Sequence, residues 1–201
     1  MKIQFIAGIL AVAALVLGGC VTTKGTDFDF TAVNSLKLGE TTPEQAEKIF
    51  GKPKAEKEIS NDFNDYLLYQ YVFAEIVPGK PNDSNARVMA LEFLDGKLNG
   101  YTYGSTWEND LGPRNSAARS QVNRQSSTRE DVIRLMGQPD GKAYYNTTLN
   151  SFEEGSGDEI WLYEQEVRVD GDDTVVDETI LVGFDRDGVV DTVTTATTRI
   201  N

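Results

Sequence analysis

Apolar positions along this chain follow three different rhythms. Ile3 to Leu17 is an almost unbroken apolar run. Beyond it, Ala46, Ile49 and Phe50 recur at helical spacing. Then come stretches rich in aromatic and β-branched residues: Tyr66 to Phe73, Val88 to Phe93, and the alternating Leu98, Tyr101 and Tyr103. The same order returns further on. Val132, Leu135 and Met136 repeat the helical spacing, and Ile160 to Val169, Thr179 to Phe184 and the alternating Val190, Val193 and Thr195 repeat the strands.

The return is close enough to be a repeat. Thr42 to Pro53 matches Thr128 to Pro139 with a constant offset of 86 residues and no gap. Each segment predicts a short helix with both ends marked. Thr42 and Thr128 are N-caps, Pro43 suits the first helical position, and Gln45 can close a capping box. Glu130 and Asp131 favour the positive end of the helix dipole. Gly51 and Gly137 suit a left-handed position past the helix, and Pro53 and Pro139 prevent its continuation. Among the strands, Leu68-Tyr69 aligns with Leu162-Tyr163, and Asp95-Gly96 and Asp187-Gly188 both read as hairpin turns, with one residue inserted before the second. Looser segments, Phe28 to Leu38 and Ala117 to Arg124, precede the helices. Each copy is thus a helix followed by about three antiparallel strands, too small to bury a secure core alone, so the two are expected to pack together. Residues 36–106 form the first module, 107–121 a linker and 122–201 the second. The connections Pro78 to Ser84 and Asn146 to Gly157 occupy matching places and suggest a joint binding edge.

The apolar N-terminus changes the picture from a free domain to an exported one. One charge at Lys2, an apolar run of about 15 residues and small residues at its end make a secretory signal, and polar Thr22-Thr23-Lys24 stops the run short of a membrane span. Leu17-Gly18-Gly19-Cys20 resembles the lipobox of bacterial lipoproteins. That resemblance implies cleavage of residues 1–19, lipid on Cys20, and a tether over 20–35. Val21 after the cysteine, by similarity to the enterobacterial sorting rule, implies the outer membrane, with the folded part on the periplasmic side. The alternative is a secreted protein with an ordinary cleavage site. Cys20 is the single cysteine, so it has no disulfide partner within the chain.

The helix ending in Gly-x-Pro, the Trp- or Tyr-bearing strand and the Phe93-Leu94-Asp95-Gly96 hairpin resemble the SmpA/OmlA (BamE-like) lipoprotein domain, as does the lead-in Leu38-Gly39-Glu40-Thr41-Thr42. The second copy departs from it, with Gln125 where Gly39 stands. Two copies in tandem are similar to the β-lactamase inhibitor proteins. The resemblance implies an α+β fold of two tandem BamE-like/BLIP-like modules, each a short helical segment on a small antiparallel sheet.

Composition narrows the function. The net charge is -13, and losing residues 1–19 would remove Lys2 and no acid, leaving -14. Such a balance opposes nucleic acid as a partner. The chain has no histidine, which removes Ser-His-Asp and Cys-His catalysis and most zinc sites. No phosphate-cradling glycine loop precedes a helix. Asp170 to Asp173, and Asp185 to Gly188 with Asp191, read as hairpin turns or as weak Ca²⁺ sites lacking a full ligand ladder. No catalytic residue and no cofactor is expected. Tyr69, Tyr71, Tyr101, Tyr103, Trp161 and Tyr163 lie on strands, where alternation would send some into the core and leave others on an outward aromatic face for a partner. The resulting expectation is a non-enzymatic, outer-membrane protein-binding lipoprotein near envelope-assembly machinery, anchored through Cys20 and contacting an unknown envelope protein. An inhibitor of an exported hydrolase, and a binder of a small ligand or envelope polymer, remain alternatives.

Overall fold

The computed structural model describes residues 21–60, 64–80, 83–107, 110, 115–153, 155–168 and 175–199. Its two α-helices lie where the repeat puts them, α1 over Pro43–Phe50 and α2 over Arg129–Met136. Both begin with a complete capping box. The Thr42 hydroxyl accepts from Gln45 N–H while the Gln45 side chain accepts from Thr42 N–H, and Thr128 and Asp131 make the same reciprocal pair. Each box satisfies two orphan donors of the first turn. A 3₁₀ helix precedes each α-helix, Phe30–Ser35 and Ser116–Gln121.

The strands are β1 (Thr22–Gly25), β2 (Ala55–Ser60), β3 (Asp65–Ile76), β4 (Asn85–Leu94), β5 (Lys97–Ser105), β6 (Gly141–Tyr144), β7 (Glu159–Arg168), β8 (Val175–Phe184) and β9 (Val190–Arg199). Among the described residues these nine form one antiparallel sheet in the order β1-β3-β4-β5-β6-β7-β8-β9, with β2 also on β3. The two separate small sheets expected from the sequence are therefore one. The join is made by β6, which pairs with β5 on one side and β7 on the other. Close approach at the join depends on small residues: a Cβ on Gly141 would stand 2.6 Å from the Tyr101 carbonyl oxygen.

Registers carry one row of side chains across the sheet from Tyr69 through Leu91, Tyr101, Lys142, Trp161 and Val182 to Val193. That face is the one the helices cover. Ala46 and Phe50 of α1 pack into a cluster with Phe28, Phe30, Tyr69, Tyr71 and Leu91, while Val132 and Met136 of α2 pack with Trp161, Tyr163, Ile180 and Phe184. Burial of each of the larger aliphatic and phenylalanine side chains among them is worth roughly 1.5–3 kcal/mol.

Local geometry recurs between the halves in detail. The turn ahead of each α-helix is closed by a buried hydroxyl, Lys37 N–H donating to Thr41 and Asn123 N–H to Ser127. The same turns bond to the hairpin strands, Gly39 N–H to Leu98 O and Gln125 N–H to Val190 O. Gln125 adopts φ 65° where Gly39 has 72°, so the departure from glycine leaves the backbone unchanged. Past the helices, Gly51 and Gly137 have φ 80° and 89° with ψ near 180°, a region open almost only to glycine rather than the left-handed helical one. Each of their carbonyls accepts from a tyrosine, Tyr71 and Tyr163. Those tyrosines are therefore the equivalent pair, and Leu68-Tyr69 against Leu162-Tyr163 is a match two residues out of register. A slip of two keeps the face, which is why the residue pattern alone did not expose it. The Asp-Gly pairs differ as well. Asp95 and Gly96 both have positive φ in a two-residue turn between Leu94 and Lys97. The inserted residue converts the second turn, in which Gly188 N–H bonds Asp185 O and Asp185 N–H bonds Val189 O.

The other face of the sheet is treated differently in the two halves. The β6–β7 connection folds back over it, placing Phe152 and Leu149 against Ala143, Ile160, Leu162 and Leu181. Asn146 to Gly157 is thus a cover for the second half, not one side of a binding edge. It also emerges at the end of the sheet that carries the β4–β5 and β8–β9 turns, opposite Pro78 to Ser84, so the two connections do not correspond. The cover clasps the first half at Glu92, a fully buried carboxylate that accepts from Asn99 Nδ2 at 2.8 Å, Thr148 N–H at 2.8 Å and the Thr148 hydroxyl.

The tether expected over 20–35 is shorter than that. Thr22–Gly25 pairs with Phe73 to Ile76, and Phe28, Phe30 and Val33 are core residues. Arg87 fixes this leader and the linker together: its guanidinium donates to Asp27 at 2.6 Å and to Asp110 at 2.6 and 2.9 Å, stacked over Trp107. The linker likewise ends before residue 122, because the 3₁₀ helix Ser116–Gln121 already packs on α2.

Candidate functional site

The six aromatics singled out from the sequence all stand on the helix-covered face. Tyr69, Tyr71, Tyr101, Trp161 and Tyr163 are buried, and Tyr103 is half-buried against Phe30. The reason is spacing. They come as pairs two residues apart, so each pair shares a face, and the registers put all three pairs on the same one. The polar ends of Tyr69, Tyr71, Tyr103, Trp161 and Tyr163 are satisfied inside. Tyr69 donates to Glu47, and burial followed by that carboxylate pushes its hydroxyl up to about 12. Desolvation raises Tyr71 and Tyr101 further still. Tyr103 donates to Pro139 O. These residues build the core, and the outward aromatic face does not form from them.

Exposed aromatic surface occurs elsewhere, at Tyr144 and Tyr145, which are 36% and 66% exposed. They end β6 and turn into the cover. They line a cleft of about 760 Å³ whose first wall is the β4–β5 hairpin, with Leu94, Asp95, Lys97 and Asn99. The second wall is Arg129 at the start of α2, Asp158 and Glu159, and the β8–β9 turn with Asp185 and Arg186. Both halves of the chain therefore contribute. The tyrosines stand on fixed ground: Tyr66 donates to Asn146 O at 2.9 Å, Tyr145 N–H to Asp158 O, and the Tyr144 ring leans on the turn at Gly39. The sequence signal for them was two consecutive aromatics at a strand end, which cannot both face one core.

Beneath the cleft lies a charged cluster. Arg129 binds Glu159 at 2.7 Å and stacks over Phe184, and Trp161 Nε1 donates to the other Glu159 oxygen at 2.6 Å. Lys142 sits 4.3 Å over the Trp161 ring, and burial lowers its pKa, opposed by Glu159. Glu159 is thus committed to Arg129 and Trp161 and serves as a strut. The outer rim carries Arg186, 89% exposed and 3.4 Å from Asp158. Such a surface offers apolar rings, mixed charges and hydrogen-bonding edges.

The acidic turn Asp185 to Gly188 uses its first carboxylate internally, Asp185 accepting from Asp187 and Val189 N–H. Among the described residues no group of three or more acidic, histidine or cysteine side chains is placed to hold a metal ion. Asp170 to Asp173, Cys20 and the signal segment expected over residues 1–19 lie outside the described residues.

No protein-family model matches the chain, and no curated protein does. The SmpA/OmlA resemblance accordingly rests on the quoted residues alone. One solved structure is similar, described as a "putative beta-lactamase inhibitor protein" from Streptococcus mutans. The TM-score is 0.48 at 9% identity, covering 83% of this chain and 93% of that one.

Proposed function

We propose that this chain is a non-enzymatic protein-binding lipoprotein of the cell envelope that engages its partner through the Tyr144–Tyr145 cleft. The observation that carries the reading is a tyrosine pair left exposed on a rigidly backed loop where the two halves meet. Tyrosine supplies contact area at low entropic cost and is enriched among binding hot spots. The recurring caps, turns and tyrosine-to-glycine bonds support a tandem pair of α+β modules, fused through β6. The cleft at their junction would then be a property of the pair that neither module has alone. Lipid on Cys20, the outer membrane and the periplasmic side complete this reading, which rests on the apolar N-terminus and its lipobox-like end.

A scaffold near envelope-assembly machinery is one form of the function. The other is an inhibitor of an exported hydrolase, the class named in the description of the streptococcal protein. A projecting tyrosine beside an arginine and several acids, as at Tyr145 and Arg186, suits insertion into an enzyme's substrate cleft.

Crosslinked capture from membranes, with wild type and Tyr145→Ala, tests the reading. Loss of one specific captured protein in the variant, at unchanged melting temperature, supports the cleft. Identical capture by both would remove it. If the captured protein is a hydrolase, inhibition by wild type and not by Tyr145→Ala distinguishes inhibitor from scaffold. Mass spectrometry of the membrane-extracted chain checks the anchor, which requires an acylated N-terminus at Cys20.

A further inference from the structure

We infer that the free edge of β9 pairs with the β9 of a second copy of this chain, antiparallel about a two-fold axis through Thr195. The evidence begins with the equivalent edge inside the molecule. In the first half, β5 starts by bonding the pre-helix turn, Leu98 N–H to Thr41 O with Gly39 N–H returning to Leu98 O. The same edge then receives an antiparallel strand, β6, at Gly100 to Thr102, followed by Tyr103 N–H to Asp140 O. In the second half β9 starts identically. Val190 N–H bonds Ser127 O, Gln125 N–H bonds Val190 O, and Arg124 donates to Asp191 O at 2.7 Å. From Thr192 onward, no described strand lies on that edge.

By equivalence with Tyr103, the outward backbone groups belong to Val193, Thr195 and Thr197. An unpaired strand of this length is a template for another strand unless it is guarded. Thr192 to Thr198 reads Thr-Val-Thr-Thr-Ala-Thr-Thr, with no charge, proline or glycine. On the opposite edge, which β1 and β2 share along β3, β1 carries exposed Lys24 and β2 presents exposed Glu56, Lys57 and Glu58.

Two ways of joining copies compete, and the residues choose between them. Head-to-tail joining would put β2 of one copy on β9 of the next, imitating the β5–β6 join. That join needs glycine at 141, where a Cβ would meet the Tyr101 carbonyl, and β2 has Ala55 in the equivalent place. It would also set charged Glu56 and Lys57 against the edge. Two-fold β9 pairing avoids both. It sets Thr195 against Thr195, Val193 against Thr197 and Thr194 against Ala196, and cross-strand pairs of small β-branched residues stabilise antiparallel sheets. An isologous contact of this kind closes as a dimer and does not extend. Each body carries a large negative charge, so screening should favour the pair.

The test is the protein mass of the full-length chain in detergent micelles by light scattering, across concentration and salt. Wild type should pass from monomer to dimer as concentration rises, at lower concentration in higher salt. Thr195→Lys sets two like charges together and should stay monomeric with an unchanged melting temperature. Thr195→Pro should do the same if it folds. In Thr195→Cys, oxidation should give a covalent dimer joined at residue 195 in peptide maps. A wild type that remains monomeric throughout would overturn the inference, and so would a dimer that Thr195→Lys leaves intact.

Discussion

The two halves of this molecule share a backbone plan and differ in what lies on the outer face of the sheet. In the second half, Leu149 and Phe152 cover Ala143, Ile160, Leu162 and Leu181, so the sheet is buried on both sides. In the first half, Leu68, Val72, Val88 and Ala90 on that face are half-buried, and no described segment covers them in this way. The helix-side cores differ too. The first is dense in edge-to-face aromatics (Phe28, Phe50, Tyr71), and the second is centred on Trp161 against Phe184 with aliphatic neighbours. What stays constant is backbone chemistry: the capping boxes, the hydroxyl-closed turns and the tyrosine-to-glycine bonds. A frame fixed by main-chain hydrogen bonds tolerates wide change in the side chains packed against it, provided their faces keep step.

The sharpest way to break the comparison is at the cover. Phe152→Ala should cost about 3–5 kcal/mol, because its buried ring is the centre of the second outer layer. Val88→Ala on the open face of the first half should cost about 1 kcal/mol or less. Chemical denaturation of the two variants reads both, and equal losses would mean that the faces are not treated differently. Next come the helix ends. Gly51→Val and Gly137→Val should each lose roughly 2–3 kcal/mol from backbone strain, and a space-filling explanation is closed at Gly51, where a Cβ meets nothing within 4 Å. Unequal melting temperatures would mark one end as less committed than its counterpart.

Asp110→Asn tests a feature confined to the first half and should cost about 2 kcal/mol near neutral pH. Hydrogen bonds from Arg87 hold the Asp110 carboxyl below its usual range. Its contribution is therefore present above the unfolded carboxylate pKa and lost as pH falls through the lower folded value. Thermal melts of wild type and variant should converge in acid, and a constant gap would assign the loss to shape rather than charge. The smallest effect concerns the pre-helix turns. Gln125→Gly should stabilise by about 1 kcal/mol by relieving a positive φ. The reverse change, Gly39→Gln, should destabilise by more than that, because its Cβ also meets the Tyr144 hydroxyl at 3.1 Å.

The helices were legible because their signals are local and redundant. Thr42, Pro43, Gln45 and Gly51 each mark a boundary by a separate mechanism, and the second copy repeats the frame with different residues. Six strands, β3, β4, β5, β7, β8 and β9, were legible as strands, yet not as one sheet, and the short β1, β2 and β6 were not read. Joining β5 to β6 is a long-range event that leaves no periodic trace beyond the small residues at Gly100, Gly141 and Ala143. The strand alignment slipped by two because a Leu-Tyr pair recurred and a two-residue shift preserves the face. The cover over Glu92 was hidden for another reason: Asn146 to Gly157 is polar and glycine-rich, and its two apolar anchors, half-buried Leu149 and buried Phe152, are too few to show a rhythm. As for the site, the sequence drew attention to tyrosines inside strands, where pairing buried them. The exposed pair, Tyr144 and Tyr145, stood at a strand end and was passed over.

Arg87 also has a mechanical consequence. Tension applied at residue 21 enters the fold through β1, whose four residues pair with Phe73 to Ile76. A pull along the strand axis loads those pairs together in shear, whereas a sideways pull peels them one at a time. Either path then arrives at Asp27 and the same guanidinium that holds Asp110 in the linker. Load that reaches Arg87 is therefore shared between the two ends of the first half. Rupture of the Asp27 contact would leave Arg87 on Asp110 and pass the load to Phe28 and Phe30, which are packed in the aromatic cluster with α1.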